Sequence, residues 1–512
     1  MHPPMNRRIA IAAVPILFAA ALLYRIDAPF LRHRESVPAY FANAARNHVR
    51  LGLGQTRLGM IEISSPDPDV YPNWRAYFYP NRPFVSALVT SGWFRLFGVS
   101  EAVMRLSLIA ASLGALFAFL KLVERLIDPK WAPLALAFFA LNPLFWYFSI
   151  IAVHLVYALA FSLAAWACWV RWDESRRSRI LMGVFLGLAC ESDWPGYYAA
   201  ISIGVDALLS HRRRIAAGVA LLAAASFALH LLHLLWIDPE HGPLIRRFLA
   251  AGAGRSVQGL PGPLAFLVSQ GREAALYFTV GMIVLAGVGV RRLPRRVWLL
   301  AILGLDELVF SRWAHVHDFL QYSLTPFVAA AAAVGVESLW TSASRKAVAS
   351  ALIVLAALQS VWITGDRLTR RGANEVLYRA GVAIRERTAP RDRVLITVAD
   401  ERQFTPYYAD RYTAGVEPEE SVLMVHPSGV HVPVAGVEDL AAHFHDFSVV
   451  LVGDPDGAAK EIGFFRGQKP PESFRFLEAT HPLRRSLETL ATSKETHGAF
   501  VLYRLREPYS PR

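Results

Sequence analysis

Cysteine is almost absent. The chain holds only Cys168 and Cys190 in 512 residues, and both lie inside apolar blocks, which excludes a disulfide framework for any water-exposed part. A domain outside the membrane must therefore stand on its own core. Charge is scarce too. Asp, Glu, Lys and Arg make up 18% of the residues, below the share of about 25% usual for soluble proteins, whereas hydrophobic residues reach 54%. There is no phosphate-binding loop, no glycine-rich dinucleotide turn after a strand and no nucleophile elbow, so nucleotide-driven transport lacks its usual signature. No long-period repeat and no low-complexity tail are visible. The basic excess, a formal +12, is spread over short loops between apolar blocks and one long loop, which argues against a nucleic-acid partner and for topology signals and phosphate contacts.

The apolar residues fall in blocks of roughly 16–25, the length needed to cross a bilayer as a helix. Arg7 and Arg8 precede the first block, Ile9 to Leu23, and should stay in the cytoplasm; a cleaved signal peptide with the same layout is the alternative, and both place the next segment outside. Later blocks alternate with basic runs at Lys121–Lys130, Arg171–Arg179, Arg212–Arg214, Arg291–Arg296 and Arg345–Lys346. Positive-inside counting then gives about eleven transmembrane helices and an external C-terminus. The expected fold class is a polytopic α-helical membrane protein with a C-terminal soluble α/β domain. Residues 1–365 form the membrane domain, 24–100 its first outer loop with juxtamembrane helices, and 366–512 the soluble domain. In this last region, helical spacing at Val376, Leu377, Ala380 and Ile384 mixes with β-branched runs at Val394–Ile396, Val449–Val452 and Phe500–Leu502. A polar loop of about 37 residues is expected after Trp236.

Drawn on this topology, the unusual polar residues gather at the outer face: Glu35, Asp193 at a junction between two short helices, Asp306 and Glu307, then His315, His317 and Asp318. Ionisable groups at membrane depth are costly, so their shared face marks a candidate site. Interfacial water is the ordinary alternative for any one of them. His315-Val316-His317 alone is a weak metal signal that would need carboxylates from elsewhere, so no cofactor is expected, with a divalent metal as the less favoured alternative.

Six stretches, in order along the chain, carry a resemblance: His33-Arg34-Glu35, Ala39 to Asn47 and Leu51-Gly52-Leu53-Gly54 in the outer loop, then Leu96 to Glu101 with Arg105, Asp193-Trp194-Pro195-Gly196-Tyr197-Tyr198, and His317-Asp318-Phe319 with Tyr322 and Pro326. Together they resemble the bacterial family 39 glycosyltransferases, which belong to the GT-C group with the protein O-mannosyltransferases and the lipid A aminoarabinose transferase. Two departures stand out. Pro80-Asn81-Arg82-Pro83 replaces a His-Pro-Pro stretch, and Glu35 stands where Asp is commoner.

The resemblance implies a membrane glycosyltransferase of the inverting GT-C type, in a bacterial inner membrane, that moves a sugar from a polyprenyl-phosphate donor. The acceptor would be an envelope lipid, glycan or protein, met at the periplasmic or extracellular face. A non-catalytic relative or a lipid-sugar flippase is the alternative. Glu35 and Asp193 would be catalytic, the carboxylates able to serve as base or to orient the acceptor. Arg46, Arg82 and Arg312 would face phosphate, as bidentate donors, unless they are ordinary headgroup contacts. Trp194 and Tyr197 would line a sugar or lipid slot, against the alternative of an interfacial aromatic belt, and His315, His317 and Asp318 would complete the substrate side.

Overall fold

The computed structural model describes residues 5–61, 78–238, 243–255, 262–311, 314, 317, 319–370, 375–396, 404–417, 422–425, 431–434, 447–453, 482–498 and 500–506. Its contacts divide the chain into two compact units. The first comprises Met1–Asp27, Pro80–Val89 and Ala102–Thr369; the second comprises Ala28–Tyr79, Thr90–Glu101 and Arg370–Arg512.

The first unit is helical, and helix covers the core of each block that the sequence marks as apolar. Among the described residues, four helices are long and apolar enough to cross a membrane: Glu101–Leu126, Arg213–Ile237, Leu320–Leu339 and Ala343–Thr369. A fifth candidate is the pair Pro263–Tyr277 and Val280–Arg292, bent by 104° at its break. Other blocks are broken where the residues dictate it. Asn142 ends the helix Ala132–Ala140 region and caps Pro143–Phe148, its side chain accepting from the Leu144 and Phe145 amides at 2.9 and 3.2 Å. Pro143 at the first helical position suits that restart, since its missing N–H would be unbonded anyway. The block Val297–Phe310 is likewise built from Arg295–Leu299, a 3₁₀ segment Leu300–Gly304 and Leu305–Val309. Instead of a featureless loop after Trp236, the helices Pro243–Arg255 and Pro263–Tyr277 appear.

Close packing needs small residues. Gly289 and Gly335 sit where Val280–Gly289 meets the alanine-rich Thr325–Leu339, and a Cβ on either would collide with the Ala331 or Leu285 carbonyl. Contact of this kind brings backbones together when there is no hydrophobic drive between helices in lipid. Both cysteines are free thiols.

The second unit is built on a seven-stranded mixed sheet of order β4-β3-β2-β1-β5-β7-β6, where β1 is Arg393–Ile396, β2 Tyr412–Glu417, β3 Val422–Val425, β4 His431–Val434, β5 Val449–Gly453, β6 Ala491–His497 and β7 Phe500–Leu505. The parallel pairs β1/β2 and β1/β5 lie at its centre, and the remaining pairs are antiparallel. Strand β5, Val449-Val450-Leu451-Val452-Gly453, is buried throughout, as a continuous apolar run on a central strand should be. The helix Glu375–Arg387 packs on Phe404–Ala409, with Gly381 set against Tyr408. The segment after the first apolar block joins this unit: its helix Ser36–Leu51 packs on Phe404–Ala409.

Candidate active site

In the first unit, the helices Arg176–Cys190 and Pro195–Leu209 form a tight hairpin, with Glu191 to Trp194 as its turn. Pro195 opens the second helix. Gly196 lies directly on the Ala189 backbone, where any Cβ would collide with that carbonyl group. The turn is further fixed by Ser192, whose Oγ donates to the Leu188 carbonyl at 2.7 Å. Against it rests the segment Pro80–Val89. The Val85 amide donates to the Glu191 carbonyl at 3.1 Å, and Ser86 Oγ donates to the Ser192 carbonyl at 3.2 Å.

This scaffold buries a charged cluster. Arg82 and Asp193 form a short ion pair with almost no solvent exposure on either side chain. His154, in the first turn of Val153–Trp169, sets Nε2 3.7 Å from the other Asp193 oxygen. The His154 ring meets Phe319 edge-on at 6.3 Å, and Phe319 lies 5.3 Å from the His317 ring. Asp193, Arg82 and His317, separated by long stretches of sequence, thus belong to one neighbourhood. Trp194 sits in an aromatic cluster with Tyr197, Phe248 and Phe310 at 5.7, 5.9 and 6.2 Å. Its ring packs against apolar neighbours rather than standing alone in a slot.

Two residues of this cluster escape the sequence reading. His154 lies inside the run Ile151–Val170, where one imidazole does not interrupt a spanning pattern. Glu191 directly follows the end of a helix, two residues before Asp193, and that proximity is its only signal in the sequence. Its carboxyl is buried and both oxygens lack a hydrogen-bond partner among the described residues. Glu191 belongs to the turn, outside the two flanking helices, and burial pushes its carboxyl up to about 7.

In the second unit, Glu35 is fully buried at the start of Ser36–Leu51; its Oε2 accepts from the Arg32 amide at 2.7 Å and its Oε1 lies 3.7 Å from the Arg32 guanidinium. Arg46 is buried on the same helix. It donates to the Tyr407 and Pro406 carbonyls at 2.9 and 3.3 Å and to Asn43 Oδ1 at 2.8 Å, lies 3.4 Å from Asp410, and stacks over Tyr407. These bonds tie the helix to the α/β unit. A cavity of about 370 Å³ in this unit is lined by Arg46, Arg50, Arg385, Tyr378, Tyr407 and Tyr408 among others. Arg312, His315 and Asp318 lie outside the described residues.

Residues 81–236 match the family described as dolichyl-phosphate-mannose-protein mannosyltransferase. No curated protein matches the chain in sequence. Solved structures do match in fold. The Cupriavidus metallidurans ArnT bound to undecaprenyl phosphate aligns with a TM-score of 0.58 at 12% identity, over 100% of both chains. The Archaeoglobus fulgidus oligosaccharyltransferase aligns at 0.57 and 14%, over 80% of this chain; the present chain spans 65% of that one. The mycobacterial arabinofuranosyltransferase AftD aligns at 0.51 and 14%, over 99% of this chain and 40% of its own. The fold is the one these solved structures share, carried by a multi-pass membrane chain.

Proposed function

We propose that this chain is an inverting membrane glycosyltransferase that draws on a polyprenyl-phosphate-linked sugar and acts at the periplasmic face of a bacterial inner membrane. The observation that carries the reading is the buried Arg82–Asp193 pair with His154 beside it. Arg82 and Asp193 both fall in the segment similar to the mannosyltransferase family. A lipid-linked donor presents its reactive carbon at headgroup level, where an arginine held by a carboxylate is a preset partner for the leaving phosphate.

The reaction balances simply. An acceptor hydroxyl oxygen attacks the anomeric carbon from the face opposite the phosphate, the carbon–oxygen bond to phosphate breaks with its electron pair going to the phosphate, and the hydroxyl proton passes to a carboxylate. Glu35 is assigned as that base. Asp193, already neutralised by Arg82, is the poorer proton acceptor and serves to position Arg82 and the acceptor. Neutralisation of the phosphate by arginine makes turnover independent of a resident metal, so it should survive chelation. Recovery of chelator-killed activity by a divalent ion would overturn that point.

The decisive experiment is transfer by the purified full-length protein from the polyprenyl-phosphate sugars extracted from the producing cells, with products read by mass spectrometry. Removal of a general base commonly costs about 10²–10⁴ in rate, so Glu35→Gln should lower kcat by that order with donor KM little changed. Full turnover in Glu35→Gln with none in Asp193→Asn would reverse the two roles. Absence of any sugar transfer by the wild type would leave the non-catalytic or flippase alternative. Orientation is checked separately: reporters fused after Arg212, Arg292 and Arg345 should read cytoplasmic, and those after Asp193, His317 and the C-terminus should read external.

A further inference from the structure

We propose that Glu191 and the Tyr197 hydroxyl form a subsite that receives the hydroxyl groups of a carbohydrate substrate beside Asp193. The inference deepens the glycosyl-transfer reading and rests on it. Three observations carry it. Both Glu191 carboxyl oxygens are buried without a hydrogen-bond partner among the described residues, and the residue is only 6% exposed. The Tyr197 hydroxyl is buried without a partner in the same way. Both groups belong to one tight turn and the helix start that follows it, with Asp193 between them in the chain.

Buried polar atoms in folded proteins are nearly all bonded, so two unbonded groups facing one neighbourhood call for something that fills it. The backbone gives them no freedom to find partners elsewhere. The Glu191 amide donates to the Gly187 carbonyl and its own carbonyl accepts from Val85, while Tyr197 is locked in the first turn after Pro195. A carboxylate offers two acceptor oxygens and a phenol offers a donor. Together they suit neighbouring hydroxyls on a sugar ring, one to each carboxyl oxygen, with the phenol donating to a third oxygen. Either the donor sugar or a carbohydrate acceptor carries that chemistry.

The test uses the purified full-length protein and the extracted polyprenyl-phosphate-sugar pool. Without substrate, Glu191→Leu should keep or raise the unfolding temperature, by roughly 2–4 °C, because an unbonded buried carboxyl is lost. With substrate, Glu191→Leu should lower kcat/KM about 10–100-fold, the range expected for losing hydrogen bonds to a charged group. Tyr197→Phe should act in the same direction and more weakly. A rise confined to the donor KM assigns the donor sugar, and one confined to the acceptor KM assigns the acceptor. A fall in unfolding temperature together with turnover, both restored in Glu191→Gln, would make Glu191 a structural residue and overturn the proposal. Unchanged kinetics in a stable Glu191→Leu would do the same, leaving water as the occupant. A wild type that transfers nothing overturns the underlying reading before any substitution is compared.

Discussion

The helix Pro195–Leu209 carries a buried carboxylate near each end, and the two ends are built on opposite terms. Near its C-terminus Asp206 is fully buried and saturated: Trp169 Nε1 donates to it at 2.8 Å, Arg296 Nε at 2.8 Å and Arg295 Nη2 at 3.1 Å. About 20 Å away, by the rise of a helix, the turn holds Asp193 paired with Arg82 and Glu191 paired with nothing among the described residues. Burying a charge is tolerable when donors surround it, and such a group fastens helices together. A buried carboxyl left unbonded lowers stability and survives where another need holds it. The chain thus keeps a saturated anchor at one end of the helix and, at the other, the carboxyls proposed to serve the reaction.

The largest effect should come from breaking the pair that the two ends have in common in kind. Arg82→Ala removes the buried ion-pair partner of Asp193, a change that commonly costs about 3–5 kcal/mol. Chemical denaturation of the purified protein should show that loss, and the double change Arg82→Ala with Asp193→Ala should recover much of it. Equal stability of the single and double variants would mean that Asp193 is solvated in solution, and the contrast between the ends would shrink.

The next effect is a pH dependence confined to the turn. Glu191 is held up to about 7 by burial, above its ordinary 4.5, so the folded state binds a proton that the unfolded chain has released. Stability from this group is therefore full below about pH 4.5 and falls as pH rises to about 7, by about 3 kcal/mol in all. Cys190 and Tyr197 lie near it, and burial alone causes the rise. Unfolding of the wild type measured from pH 4.5 to 8 should show the decline, and Glu191→Gln should flatten it. A wild-type curve parallel to that of the variant would place Glu191 among bonded carboxyls like Asp206.

How much of this contrast the sequence displays depends on what interrupts its apolar runs. Pro195, Gly196 and the acidic pair before them stop a hydrophobic block abruptly, so the turn and Asp193 could be read directly. The β-branched runs that became β1, β5 and β7 were equally plain. His154 was hidden because one polar residue in a long apolar block leaves its pattern intact. Gathering Ala28–Tyr79 with Arg370–Arg512 in one unit depends on pairings such as Arg46 with Tyr407 and Arg50 with Asp410, across hundreds of residues. No local pattern encodes such a partnership. The breaks at Asn142 and Gly304 shorten helices inside blocks whose hydropathy is continuous, so spans and helices do not correspond one to one.

A smaller effect belongs to the saturated end. Asp206→Ala removes three donor contacts, but Arg295 and Arg296 are partly exposed and can turn to water, which limits the loss to about 2 kcal/mol. Trp169 bears most of it, since its Nε1 is left unbonded in a buried ring. Stability should fall while turnover per folded molecule stays at the wild-type value. A drop in kcat at constant folded fraction would show that this end also serves the reaction, and the division of labour along the helix would fail.

The smallest effect is the most discriminating one. Tyr197→Phe deletes one oxygen from a ring that otherwise packs against Trp194, so the apolar contact at 5.7 Å is kept. If the hydroxyl were bonded within the protein, its loss would cost about 1 kcal/mol. For a buried hydroxyl with no partner, deletion should instead leave the unfolding free energy within about 0.5 kcal/mol of the wild type, or raise it. The sign is what matters, because saturated and unsaturated polar groups answer deletion in opposite directions. Paired denaturation curves of Tyr197→Phe and Asp206→Ala in one detergent carry the comparison. Destabilisation of both by similar amounts would place the Tyr197 hydroxyl with the bonded groups and remove the contrast from which the subsite is argued.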